Sequence, residues 1–192
     1  MAPHPDEAGG ATGARRGVVT ASRPAAGAPD RGRSTSGAIR AGLLCLVVLV
    51  LAGAVGLATR QPWLFPSLGP TVMLFFTAPR QPSSRPLNTL VGHLVAIAVG
   101  YGCLLVFGLS SAAPAPTGGL TVPYVAAGAL SVAVTTVVLQ LVRLPHPPAG
   151  ASTLIVSLGI LSAPVQLLDM VGAVLLVTAA GWALQRLVPA RS

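Results

Sequence analysis

The chain is predicted to be an all-α membrane protein of six membrane segments, four long and two short, arranged as a 3+3 inverted repeat. Three observations predict it. Hydrophobic residues make up 53% of the sequence and charged residues only 8%, whereas a water-soluble domain carries about a quarter charged residues. From Ile39 onward the charges reduce to scattered arginines and the single acid Asp169. Finally, two apolar segments broken by proline and glycine recur 81 positions apart: Pro66-Ser67-Leu68-Gly69-Pro70-Thr71 and Pro147-Pro148-Ala149-Gly150-Ala151-Ser152. Matching broken segments in two halves of an apolar chain point to a transporter binding site at the repeat interface.

Residues 1–38 are rich in Gly, Ala, Pro, Ser and Arg and lack aromatic residues. They cannot bury enough apolar surface to offset chain entropy and are expected to be a disordered tail. The apolar run behind them is long enough to span, and no small-residue cleavage site follows it closely, so it reads as a retained helix rather than a signal peptide. Six of the twelve arginines lie at or before Arg40, which places the N-terminus in the cytoplasm and the chain in the cell (inner) membrane. The net charge of +8 is therefore a topology signal, not a nucleic-acid surface.

The membrane region runs over 39–192, with halves at about 39–109 and 120–189. Ile39–Thr59 is a full span, at about 1.5 Å per residue across about 30 Å of hydrocarbon. Ser67–Ala78 lies between Pro66 and Pro79 and covers only about 18 Å as helix. Leu87–Leu109 spans, Ser110–Gly119 is an uncharged loop, Val122–Val142 spans, Pro148–Ala163 is short again, and Leu167–Val188 spans. If both short segments cross, Arg60 alone breaks the positive-inside rule; if both turn back, Arg80 and Arg85 break it too. Three crossings per half is odd, so the second half enters from the opposite side. Gly100-Tyr101 aligns with Gly181-Trp182 at the same offset.

A short helix must be completed by extended backbone, which survives at membrane depth only inside protein or beside water. Gln61–Leu68 and Leu144–Ala149 are the expected extended pieces, the second held open by Pro145, Pro147 and Pro148. Gly69 and Gly150 are expected to let the chain pass close to a neighbour or ligand.

The stretch Leu144-Pro145-His146-Pro147-Pro148-Ala149-Gly150-Ala151, with Ser67-Leu68-Gly69, Ala78-Pro79 and Arg85-Pro86-x-Asn88-x3-Gly92-His93 in the first half, resembles the HPP family of integral membrane proteins over residues 40–188. Ala149 departs from a glycine frequent in that family. The resemblance implies a small multi-span protein; members in plastids and cyanobacteria are linked to nitrite transport, and some relatives carry an added soluble regulatory domain, which is not expected here.

A helix that starts inside the membrane offers unpaired amides and the positive end of its dipole to a small anion. Here the amides from Pro70 to Val72 (Pro70 has no donor) and from Ala151 to Thr153 would face each other, with hydroxyls from Thr71, Ser152 and Thr153. His146 could pair with the anion or move a proton, which would make nitrite uptake charge-neutral; the alternative is that it ties the segment to a backbone carbonyl. His93 is an ionisable residue within a span, hence a functional candidate. The substrate-binding candidates are thus Gly69, Thr71, His93, His146, Gly150, Ser152 and Thr153. Asn88 and Asp169 read as helix-start residues. Trp63, Tyr124 and Trp182 read as interface anchors, and the span-end arginines as snorkelling. Gly92, Gly100 and Gly108 fall nearly on one face and suggest close packing.

No nucleophile triad, phosphate loop, dinucleotide motif or Cys-His metal spacing is present, and Cys45 and Cys103 sit in apolar runs. We expect no enzyme, no cofactor and no metal; partners limited to the bilayer, a nitrite-like anion and further copies of the chain as a homodimer or higher oligomer; and no nucleic acid. The competing reading is a structural or regulatory membrane subunit without transport activity.

Overall fold

The computed structural model describes residues 35–188, which are all-helical, with no strand among them. Four helices are long and apolar enough to cross a membrane: α1 (Thr35–Thr59), α3 (Pro86–Val106), α5 (Val122–Leu141) and α7 (Pro164–Leu187). Two are short, α2 (Leu68–Thr77) and α6 (Ala149–Ser157), and α4 (Ala115–Gly118) is a single turn. Large apolar side chains point outward along the long helices, Leu57 to 85% exposure, the surface of a protein that sits in lipid rather than water.

Element boundaries follow the local chemistry. Proline opens α3 and α7, where its fixed φ suits the first turn and its missing N–H costs nothing. The ends of α1 and α5 are alike. Arg60 and Arg143 take φ of 55° and 57°, and the next N–H reaches back five residues, from Gln61 to Gly56 and from Leu144 to Leu139. These are Schellman ends with arginine in the left-handed position where glycine is usual. Several expectations need correction here. Helix α1 starts at Thr35, so four residues assigned to the tail are helical; 1–34 lie outside the described residues. The second short segment does not run to Ala163 but stops at Ser157, because Gly159 adopts φ +73° and lets Ile160 N–H bond back to Ile155. The 110–119 loop contains α4, packed through Ala115 N–H to the Leu158 carbonyl and by Tyr124, whose hydroxyl donates to the Ala113 carbonyl. Tyr124 is 2% exposed and is a loop anchor, not an interface residue.

Helix α3 packs on α5, α6 and α7; α7 packs on α1, α2 and α3; and α1 pairs with α2 as α5 pairs with α6. The main core joins Val48 and Ala52 of α1, Leu68, Val72 and Phe75 of α2, Ile155 and Val156 of α6, and Met170, Ala173 and Val177 of α7. Small residues let backbones approach, the main source of helix affinity in lipid. A Cβ on Gly100 would sit 2.8 Å from the Thr153 carbonyl oxygen, and one on Gly181 would strike the Phe75 ring. Helices α1 and α7 are antiparallel: the Arg40 guanidinium donates to the Val188 carbonyl at one end, and Trp63 Nε1 donates to Asp169 Oδ1 (3.2 Å) at the other. Asp169 therefore binds an indole rather than capping α7, and Trp63 is half-buried rather than a free anchor. Gln185 donates to the Phe75 carbonyl, which puts the C-terminal ends of α2 and α7 side by side.

Candidate functional site

Helix α2 starts at Leu68, with Ser67 at the N-cap position, and Ser67 Oγ lies 2.6 Å from Ser152 Oγ in the first turn of α6. The starts of the two short helices therefore meet. Around this contact lies a polar cluster in an otherwise apolar interior. His93, in the second turn of α3, reaches Ser152 Oγ through Nδ1 (2.7 Å) and Thr71 Oγ1 through Nε2 (3.0 Å). His146 Nε2 lies 3.2 Å from His93 Nε2, the rings meeting edge to face with centroids 4.9 Å apart. His146 Nδ1 donates to the Ser83 carbonyl (2.8 Å). The side chains of Ser67, Thr71, His93 and Ser152 are fully buried, and His146 nearly so.

Each side chain is placed by its element. Thr71 sits one turn after Ser67 and donates to its carbonyl (2.9 Å), the back-bond common to hydroxyls in membrane helices. The His146 ring is pressed onto α3 because Gly92 has no side chain: a Cβ there would lie 2.7 Å from His146 Cβ. Asn88 is not a cap. Its Nδ2 donates to the Pro145 carbonyl (3.1 Å), tying α3 to the proline-rich segment that carries His146. Ser84 Oγ donates to the Leu74 and Ala78 carbonyls and closes the end of α2. On the far side of His93 a cavity of about 70 Å³ opens between α3 and α7, walled by Leu90, Ile97, Val171 and Val174.

Four of the seven predicted site residues come together: Thr71, His93, His146 and Ser152. Thr153 does not join them; it faces α5, with its hydroxyl 3.1 Å from Thr135 Oγ1 and donating to the Ala149 carbonyl. Gly69 and Gly150 make no close approach, since a Cβ at either would meet nothing within 4 Å. The expected amide cradle on α6 is also partly consumed. Pro148 is already in the right-handed helical region, and the N–H groups of Ala149, Gly150 and Ala151 bond to the His146, Pro147 and Pro148 carbonyls. The donors that converge belong instead to side chains. Ser67 was missed by the sequence reading, although its position four residues before Thr71 and just ahead of a broken helix could have flagged it.

The cluster holds hydroxyls and imidazoles and no carboxylate. Asp169, the one acid among the described residues, is engaged with Trp63. No group of three or more His, Cys, Asp or Glu is placed to hold a metal among the described residues. Such a set can donate hydrogen bonds to a small polar guest and pass a proton between ring nitrogens and hydroxyls.

No curated protein and no solved structure was found to match the chain. The family model for the HPP transmembrane region matches residues 30–192, which contain His93, His146, the two short helices and every other helix described above. The chain belongs to the HPP family of integral membrane proteins.

Proposed function

We propose that this protein is a multi-pass transporter or channel for a small inorganic anion, with nitrite the candidate that the family resemblance suggests. One observation carries the reading: a fully buried, carboxylate-free set of hydroxyl and imidazole groups where two short helices begin. Polar and ionisable groups inside a membrane protein are costly and mark substrate or proton paths. An oxyanion needs several donors and weak enough binding to leave again, which neutral hydroxyls and imidazoles provide better than fixed positive charge.

The proposal includes the 3+3 inverted repeat. In its support, α2 and α6 start 81 residues apart, at Leu68 and Ala149. Thr71 and Ser152 stand at the same offset and take opposite nitrogens of His93. Gly100 packs on Val156 just as Gly181 packs on Phe75, each partner again 81 positions from its counterpart. Left-handed arginines close α1 and α5 alike. The contact chain Arg40–Val188, Gln185–Phe75, Ser84–Ala78 and Asn88–Pro145 gathers Arg40, Arg80, Arg85, Arg143 and Arg186 toward one end. Arg60 lies toward the other end, with Trp63 and Asp169. By the positive-inside rule the arginine-rich end is cytoplasmic, in the inner membrane, with the N-terminus on that side. A core this small is expected to work as a homodimer or higher oligomer.

The test is uptake of nitrite, nitrate, formate and chloride by purified protein in proteoliposomes, with protein-free liposomes as the baseline. Protein-dependent nitrite uptake, lost in His146→Ala, is the expected result. A second reading, a structural or regulatory subunit, draws on the fact that the cluster's groups bond mainly to one another. Absence of flux for every anion, together with a stable co-purifying partner, would establish that reading instead.

A further inference from the structure

When both rings are neutral, one arrangement of hydrogens satisfies every contact of the cluster except the longest, Thr71 Oγ1 to His146 Nε2 at 3.5 Å. The Ser83 carbonyl can only accept, so His146 carries its hydrogen on Nδ1 and presents a lone pair at Nε2. His93 Nε2, 3.2 Å from that lone pair, must then carry the hydrogen, shared with Thr71 Oγ1. Thr71 can accept it because its own hydroxyl donates to the Ser67 carbonyl. His93 Nδ1 is left as an acceptor, so Ser152 donates to it, and Ser67 donates to Ser152. Along the Ser67–Ser152–His93–His146 line every hydrogen points toward Ser83; the Thr71 hydroxyl alone points back, to the Ser67 carbonyl.

We infer that His93 Nδ1 is a proton-binding site, loaded along the Ser67–Ser152 chain, and that loading presents the Ser67 hydroxyl as a donor for the transported anion. A proton arriving on Ser67 Oγ displaces Ser67's hydrogen onto Ser152 Oγ, and Ser152's hydrogen onto His93 Nδ1. No heavy-atom bond changes. The ring becomes imidazolium, Ser152 now donates back to Ser67, and Ser67 holds the new hydrogen with no acceptor among its former partners. Ser67 is itself fully buried, in the segment between the exposed Pro66 and Pro70, so the freed donor meets an anion only when the site opens. A second proton finds no place, since a hydrogen on His146 Nε2 would face that of His93 Nε2 at 3.2 Å. The pair takes one proton, and one anion balances it.

Among the described residues no other titratable group intervenes. Helices α2 and α6 present Thr71 and Ser152 to the ring, and α7 presents Val171 and Val174. The one titratable side chain of α5, Tyr124, bonds the Ala113 carbonyl, and Asp169 of α7 is held by Trp63. His146 is the single titratable neighbour among the described residues. The anion half of this inference rests on the function proposed above; the proton site stands without it.

The experiment is a ¹⁵N NMR titration of the full chain, histidine-labelled, in lipid nanodiscs, with His4→Gln and His93→Gln variants assigning the signals. Near neutral pH, His146 is expected in the Nδ1–H form and His93 in the Nε2–H form, and acidification should load His93 Nδ1 first. The opposite tautomer at His93, or loading of His146 first, overturns the proton site. Sodium nitrite, against sodium chloride at equal ionic strength, should then raise the His93 midpoint by about one pH unit, a tenfold coupling of ordinary size. Ser67→Ala should keep both tautomers and lose that shift. If liposomes carry nitrite but the midpoint does not move, or if Ser67→Ala shifts as fully as wild type, the coupling is overturned. If nitrite is not carried while the tautomers hold, the anion reading and the coupling fail and the proton site remains.

Discussion

Gly92→Ala probes the support of the site without replacing any of its polar groups. The added Cβ would lie 2.7 Å from His146 Cβ and 3.1 Å from its Cγ and Cδ2. Ordinary carbon contacts need about 3.5–4.0 Å, so one side must yield by roughly 1 Å. His146 Cβ cannot swing away as a side-chain tip could, because it is fixed to the proline-bound backbone that Asn88 ties to α3. A shift of that size breaks the 2.8 Å bond to the Ser83 carbonyl and the 3.2 Å contact with His93. Overpacking costs about 1–3 kcal/mol and each lost buried hydrogen bond about 1 kcal/mol, so the total falls near 2–4 kcal/mol. Thermal unfolding in detergent measures the stability loss, and proteoliposome uptake measures the effect on transport; both should fall, with the His146 ¹⁵N signals displaced. Wild-type stability, uptake and His146 signals in Gly92→Ala would refute the claim that this glycine seats the ring.

Gly69→Ala and Gly150→Ala, by contrast, should fold and melt as wild type, since neither Cβ meets an atom within 4 Å; circular dichroism melts of both variants check this. Arg143→Gly removes a left-handed non-glycine residue and should raise stability by about 1 kcal/mol in the same melts; unaltered uptake would then show that transport does not need the Arg143 charge. Ser157 Oγ is buried without a hydrogen-bond partner, so Ser157→Ala should be neutral or stabilising by up to about 1 kcal/mol; a clear loss of stability would show a partner bound there.

Much of this architecture was legible because it follows from short-range chemistry. Proline and glycine marked the broken segments, and the starts of α2 and α6 fall within a residue or two of where Pro66 and Pro148 place them. The meeting of Thr71 and Ser152 follows from reading two equivalent helix starts as facing each other, whereas His93 and His146 stand out only as ionisable residues in or beside a span. What failed depended on details of the backbone. Consecutive prolines suggested an extended entry with free amides, yet Pro148 lies in the helical region and the first amides of α6 are consumed in its opening turn. Periodicity could not show that Thr153 faces α5 while Ser152, one residue away, faces His93. Asn88 at a helix start looked like a cap because capping is a local bond, whereas its partner, the Pro145 carbonyl, lies 57 residues away. The end of α6 was placed too late because an apolar stretch hides a stop that Gly159 makes through its positive φ.

The most direct test of the central claim, that substrate passes where the two short helices meet, is thiol accessibility at Ser152→Cys with Cys45 and Cys103 replaced by alanine. Ser152 is fully buried at rest, so a small water-soluble methanethiosulfonate can reach it only if the site opens to an aqueous path. The account predicts slow but complete labelling in proteoliposomes, retarded by nitrite and not by chloride. A thiol that stays unreactive in protein folded like wild type, or one whose labelling nitrite leaves unchanged, would contradict it.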